Sequence, residues 1–274
     1  MKRISAFLAV LIASLAACSP SPDDMIKSPV PASPSPANSW WRPSPGLTWQ
    51  WQLDEEIDTS IEAQVYDIDL YADQQVIDAL HARGVKVICY ISVGSWEDWR
   101  PDAGRFPQEV LGREYDGWPG EKWLDIRRMD LLAPLLRARL DLCAAKGFDG
   151  LEPDNLEIHD NNTGYAITYE DQLAYARWLA DEAHARGLAV GIKNAPDMVT
   201  DSLDFFDFAI TEDAFYYQWI DKMLPFINAG KAVFAAEYTD LEVDFNAACA
   251  WGRDHQVRFI RKNRILTAFR IACP

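Results

Sequence analysis

Three times in this chain a stretch of helical periodicity closes on a basic residue and a glycine, and an apolar run begins at the next position: Arg83-Gly84-Val85, Lys146-Gly147-Phe148 and Arg186-Gly187-Leu188. Glycine takes the left-handed conformation that ends a helix at no Cβ cost, and a cation in the last turn complements the helix dipole. The spacing predicts helices over Asp73–Arg83, Leu131–Lys146 and Tyr169–Arg186, each feeding directly into a strand. Strand-like runs lie at Thr48–Leu53, Ala63–Ile68, Val85–Ile91, Asp149–Asp154, Leu188–Lys193, Phe206–Glu212, Ala232–Glu237 and Val257–Arg261. Eight such runs interleaved with helical segments in roughly 230 residues predict an α/β fold, a single-domain (β/α)8 TIM-type barrel. A doubly wound sheet is the competitor, but no glycine-rich phosphate loop follows the first strand.

Upstream of the barrel the pattern changes. Lys2 and Arg3 precede an apolar run from Ala6 to Ala17, too short for a mature membrane span, so residues 1–17 read as a secretory signal peptide. The run ends Leu15-Ala16-Ala17-Cys18, which resembles the bacterial lipobox, so Cys18 is the expected lipidation site and membrane anchor. Ser19, in place of an aspartate, directs the expectation to the outer membrane of a Gram-negative cell, on its periplasmic or surface side. Residues 18–45 are rich in Ser, Pro and Ala and read as a flexible tether, ahead of a folded domain over 46–274 that begins near Trp40 or Trp49.

Acidic residues outnumber basic ones 42 to 26, for a net charge of -16. Losing the signal removes two bases and no acids, which leaves -18. Such a field repels phosphates and attracts cations, so no nucleic-acid partner is expected. An oxidising location allows disulfides among Cys89, Cys143, Cys249 and Cys273. Cys249–Cys273 is the preferred bridge because it would staple the C-terminal tail, while Cys89 and Cys143 read equally well as buried thiols. No His/Cys cluster has zinc spacing, so neither a metal nor another cofactor is expected.

In a barrel, functional residues gather at the C-terminal ends of strands. Those ends carry Asp67 and Asp69, Tyr90 and Ser92, Glu152 and Asp154, Lys193 and Asn194, Glu212 and Asp213, then Glu237 and Tyr238. The densest stretch is Gly150-Leu-Glu-Pro-Asp-Asn-Leu-Glu157. Side chains alternate along a strand, so Glu152 and Asp154 share a face, and Pro153 is expected to stop the pairing there. Two carboxylates on one buried face are costly unless a cation or a reaction uses them. A salt-bridged strand end is the bland alternative. Carboxylates among aromatic residues point to sugars, because glycosidic cleavage takes two carboxyl groups. Trp96, Trp99, Tyr216 and Tyr217 follow strand ends and could be sugar platforms, although core packing explains each equally well.

From Leu47 to Cys273 the chain resembles glycoside hydrolase family 114, the endo-α-1,4-polygalactosaminidases. The resemblance rests on Trp49-Gln-Trp-Gln52, Tyr66-Asp67, Cys89-Tyr-Ile-Ser-Val-Gly94 with Glu97, Trp123-Leu-Asp-Ile126, Gly150-Leu-Glu-Pro-Asp-Asn155, Gly191-Ile-Lys-Asn194, Glu212 and Glu237-Tyr238. It implies a (β/α)8-type barrel, endo-hydrolysis of α-1,4-linked galactosamine-rich polysaccharide, and catalytic carboxylates at Asp154 and Glu212. Asp154 is expected as nucleophile or base and Glu212 as acid, with Glu237 the competitor for either role. Asp67, Tyr90, Glu152, Asn155, Lys193, Asn194, Glu237 and Tyr238 are the expected substrate-binding residues; Asp67, Glu152, Asp160 and Asp213 are candidate ammonium partners. A cationic or partly acetylated amino-sugar polymer fits the acidic balance. The alternatives are a non-catalytic amino-polysaccharide-binding lipoprotein and a glycosidase for another α-linked exopolysaccharide. Lys193 would lower a neighbouring carboxyl pKa and burial would raise one, so the residues leave the order of acid and base open.

Overall fold

The computed structural model describes residues 39–274. The expected signal peptide, the expected lipidation site Cys18 and most of the expected tether lie outside the described residues. The elements run β1 (Trp49–Gln52), β2 (Val65–Asp69), α1 (Gln74–Ala82), β3 (Lys86–Ser92), β4 (Ser95–Glu97), β5 (Leu111–Glu114), β6 (Glu121–Leu124), α2 (Met129–Ala145) and β7 (Gly150–Asp154). Then come α3 (Tyr169–Ala185), β8 (Ala189–Lys193), α4 (Val199–Ser202), β9 (Phe208–Glu212), α5 (Leu224–Asn228), β10 (Val233–Tyr238), α6 (Phe245–His255), β11 (Arg258–Lys262) and β12 (Ile271–Ala272). All eight expected strands and the three expected helices are present within a few residues of their sequence bounds. The glycines that close those helices, Gly84, Gly147 and Gly187, have φ of +77°, +84° and +76°, which a Cβ would penalise.

The fold is mixed α/β. Nine strands form one curled sheet in the order β1-β2-β3-β7-β8-β9-β10-β11-β12, parallel throughout except for the antiparallel β12. The curl, consistent with a TIM-like barrel, brings the first and eighth parallel strands together: the Trp49 indole N–H donates to the Arg258 carbonyl at 2.9 Å. Among the described residues no backbone ladder joins β1 to β11. The architecture departs from eight regular repeats in three places. No helix follows β1, α4 and α5 are single turns, and a three-stranded antiparallel sheet in the order β4-β6-β5 is inserted between β3 and α2.

Alternation along the strands makes two cores. Trp49, Trp51, Val65, Ile88, Phe208, Ile210 and Phe234 fill the inside of the curl. The other face of each strand packs on the helices, with Tyr66, Cys89, Leu151, Val190, Ala209 and Ala235 among the contacts. Fully burying an aliphatic or aromatic side chain stabilises by roughly 1.5–3 kcal/mol, so these two layers hold the frame on which the strand ends stand.

One expectation is corrected here, and two that the residues left open are decided. Pairing of β7 with β3 continues through Ile91–Pro153 to Ser92–Asp154, while pairing with β8 ends at Leu151–Val190. Pro153 lacks an N–H, so it interrupts only the side on which that donor is needed. Cys89 and Cys143 are not free thiols but form a disulfide, as do Cys249 and Cys273. The folded part starts by Trp40, so the last residues assigned to the tether belong to the domain. Trp40 stacks on His184 at 3.8 Å, and its indole and the Arg42 guanidinium both donate to Asp207 Oδ1, at 3.0 and 2.5 Å.

Candidate active site

A cleft of about 1080 Å³ opens at the C-terminal ends of the parallel strands. At its floor stands Lys193, the last residue of β8 and only 2% exposed. Its Nζ lies 2.9 Å from Glu152 Oε1, 2.8 Å from Asp154 Oδ1 and 3.0 Å from Glu212 Oε2. The contact to Asp154 is aligned as a hydrogen bond. The Trp51 ring lies 4.7 Å from the same ammonium and adds a cation–π contact. An isolated buried lysine would lose its proton; burial does pull Lys193 down, but the charges of Asp154, Glu152 and Glu212 outweigh it and hold the pKa well above the ordinary value. One cation thus binds carboxylates from two other strands.

Each exposed carboxylate has further donors. Tyr90 O–H donates to Asp154 Oδ2 at 2.9 Å. Tyr238 O–H donates to Glu212 Oε1, and the Asn194 side chain donates to Glu212 Oε2 at 3.0 Å while accepting the Glu212 backbone N–H at 2.9 Å. Burial raises the Glu212 pKa, yet the Lys193 charge and the bonds from Tyr238 and Asn194 prevail and leave it below the ordinary glutamate value. Arg264 lies 4.1 Å over the Tyr238 ring and 2.8 Å from Asp213, so the phenol that holds Glu212 is itself held.

Directly after each of the three polar strand ends the chain turns through a left-handed residue: Asn155 (φ 64°), Asn194 (φ 49°) and Asp213 (φ 51°). Asn and Asp adopt this region more readily than other side chains. Asn155 also donates to Ser92 Oγ and Ser95 Oγ, each at 3.0 Å, and Ser95 donates to Glu121 at 2.6 Å. This chain of bonds ties β7 to β3 and to the inserted sheet. Gly94 is required there, because a Cβ would stand 1.8 Å from the Asn155 carbonyl oxygen.

Of the expected site residues, Tyr90, Asp154, Asn155, Lys193, Asn194, Glu212 and Tyr238 line the cleft. Asp67 and Glu152 do not; both are fully buried beneath Lys193. Burial first, and the Glu152 charge second, hold the Asp67 pKa well above the ordinary value. Burial likewise brings Glu152 up to about 7. Both carboxyl groups are sealed in one layer, and Glu152 touches the Lys193 ammonium, so they act on the site through Lys193. Glu237 stands elsewhere. Phe234, Ala236 and Tyr238 face the inside of the curl, so Glu237 points to the helix side, where it accepts the N–H groups of Phe215 (2.9 Å) and Tyr216 (3.2 Å). Asp213 is paired with Arg264, and Asp160 with His159 at 3.2 Å. Among the proposed platforms Trp99 lines the cleft and is 54% exposed. Trp96 instead bonds the Ala103 carbonyl at 3.1 Å, and Tyr216 borders a separate cavity.

Sequence reasoning missed Trp51, Tyr115, Trp118, Glu121 and Glu157, all of which line the cleft. Tyr115, Trp118 and Glu121 sit in or beside the inserted sheet, whose strands of three or four residues carry little periodic signal. Glu157 was within the densest motif but one loop beyond its strand.

The sequence profile of glycoside-hydrolase family GH114 matches residues 30–274. The chain belongs to glycoside hydrolase family 114. As a member of family 114 it is a glycoside hydrolase. It is similar to Aspergillus fumigatus Ega3, solved in complex with galactosamine, at 37% identity and a TM-score of 0.81, over 86% of this chain and 98% of that one. The glycoside hydrolase domain of PelA from Pseudomonas aeruginosa shares the fold at 14% identity and a TM-score of 0.64, over 82% and 98% of the two chains. A comparison with curated proteins found no match.

Proposed function

We propose that this family 114 enzyme cleaves α-1,4-linked, galactosamine-rich polysaccharide within the chain, through Asp154 and Glu212. The observation that carries the reading is the single ammonium of Lys193 touching both carboxylates at the floor of an open cleft. The two oxygens involved can be no farther apart than those two contacts laid end to end, which falls short of the ~6.5–9.5 Å of inverting pairs and suits the ~5–5.5 Å of retaining ones. In the retaining scheme Asp154 attacks the anomeric carbon as Glu212 protonates the departing oxygen. Water then attacks the glycosyl–Asp154 ester while Glu212 takes back a proton. Tyr90 and Lys193 keep Asp154 aimed. Glu212 must take up its proton against the pull of Lys193, so the reaction favours acid conditions.

The substrate reading is supported by the likeness to Ega3, whose structure holds galactosamine, and by the acidic balance of the chain, which draws a polycation. An open cleft lined by Trp99, Trp118 and Tyr71 suits internal cleavage of a long chain. The N-terminal pattern supports export and lipidation at Cys18, which would hold the enzyme at the outer membrane.

The test is release of reducing ends from defined galactosamine, N-acetylgalactosamine and neutral α-linked polymers. Wild type should act on the first. Asp154→Asn and Glu212→Gln should each lose roughly 100-fold or more in kcat while remaining folded. Added azide should then give a β-glycosyl azide from an Asp154→Ala enzyme and an α-glycosyl azide from Glu212→Ala. Full activity in either carboxamide variant would overturn the pair, and the reverse azide products would exchange the roles.

A further inference from the structure

A second cavity of about 310 Å³ opens beside the cleft and shares Glu157, Asn194 and Glu212 with it. It lies between the loops that follow β7 and β8. Asp160 and Asp197 add two more carboxylates to its lining, and Trp219 adds an aromatic surface. Two polar atoms at this place are sealed from solvent and have no partner: Glu157 Oε2 and His159 Nδ1. Buried polar atoms without partners are rare in folded proteins, because each forfeits its hydration for nothing. Glu157 also stands in the repulsive field of Asp154 and Glu212. The nearest strong cation, Lys193, is already shared among three other carboxylates.

Glu157 borders two cavities with no cation paired to it among the described residues, so burial holds its proton in place up to about pH 7 in the free enzyme, and the group ionises there once a ligand brings a positive charge. We propose that the side cavity is a subsite for one amino-sugar residue next to the cleaved bond, and that Glu157 receives the protonated amine of that residue. This rests on the galactosamine reading above and adds to it the residue that separates a free amine from an acetamide or a hydroxyl. An ammonium donates hydrogen bonds and neutralises the field of three carboxylates. A hydroxyl supplies no charge, and an acetamide adds bulk and supplies none either.

The experiment compares galactosamine, N-acetylgalactosamine and galactose as ligands of wild type, Glu157→Gln and Glu157→Asp. Binding is read by calorimetry and by tryptophan fluorescence, independently of polymer cleavage. Glu157→Gln keeps the shape and cannot ionise beside two other anions, so the variant is expected to fold with equal or greater stability. Wild type should bind galactosamine at least 10-fold more tightly than galactose. Glu157→Gln should lose that preference with galactose binding unchanged, and Glu157→Asp should recover part of it. Equal loss for all three sugars would mean a structural role and overturn the proposal, as would a preference that survives in Glu157→Gln. If wild type prefers galactosamine yet releases nothing from galactosamine polymer, the polymer reading fails while the subsite stands.

Discussion

Lys193 donates a 2.8 Å hydrogen bond to Asp154 from a position that is itself almost wholly sealed, so the residue proposed to attack the sugar takes its direction from a cation the solvent cannot reach. The relationship also fixes β8 to β7 at the level where their backbone pairing has already ended.

Removing that cation should therefore cost stability as well as activity. In Lys193→Met, Glu152, Asp154 and Glu212 face one another without compensation, and breaking a buried charge set of this kind costs about 3–5 kcal/mol. Urea unfolding should show a loss of that size. Adding Glu152→Gln to Lys193→Met should restore part of it, because one of the stranded charges is gone. A single variant within about 1 kcal/mol of wild type would mean that the carboxylates are relieved in some other way.

Tyr238 bears on the order of acid and base. Its hydroxyl helps to hold Glu212 below the ordinary glutamate pKa, so Tyr238→Phe should raise that pKa. With Glu212 as the acid, the alkaline limb of kcat/KM moves to higher pH in the variant and the acid limb stays in place. Movement of the acid limb alone would assign the nucleophile to Glu212.

Stability should decline as pH rises through the mildly acid range. Glu121, Glu152, Glu157 and Glu237 are each pushed up to about 7, in every case by burial first. Between the ordinary glutamate value and that pH the folded chain keeps protons that the unfolded chain releases, so folding weakens with increasing pH. Calorimetry at constant ionic strength should give a Tm higher at pH 5 than at pH 7.5 by several degrees, at roughly 2–4 °C per kcal/mol for a domain of this size. In Glu237→Gln, whose side chain lies away from the cleft, the slope should flatten with activity retained. A Tm that climbs across the window would contradict the placement of these groups.

The C-terminal bridge closes a loop between Cys249 on α6 and Cys273 just beyond β12. Cys273→Ser should lower stability by about 2–4 kcal/mol, chiefly by freeing the unfolded chain. Chemical denaturation with and without reductant checks this, because reduction should then have a smaller effect on the variant than on wild type.

Much of the frame was readable in the residues. Arg83-Gly84, Lys146-Gly147 and Arg186-Gly187 mark helix ends through a conformation that only a few residues adopt cheaply. Apolar strands such as Val85–Ile91 and Leu188–Lys193 follow from composition and length. Glu237 could also have been placed by parity, since Ala236 and Tyr238 beside it face the inside. The inserted sheet escaped because Leu111-Gly-Arg-Glu114 has no alternation of its own; its pairing with Glu121–Leu124 comes from the partner strand.

Local chemistry along the chain thus specified where helices stop, which strand positions share a face, and that carboxylates collect at strand ends. Depth and convergence came from the fold. Glu152 lies under the floor and Asp154 reaches the cleft because they stand two residues apart on β7, while the stagger between strands sets the heights of Asp67 and Glu212 against them. Lys193 meets Glu152, Asp154 and Glu212 because the sheet curls, and curl arises from packing between segments far apart in sequence. Spacing along one strand carries no record of that curvature, so which three carboxylates the expected Lys193 ammonium meets emerged only when the strands were assembled.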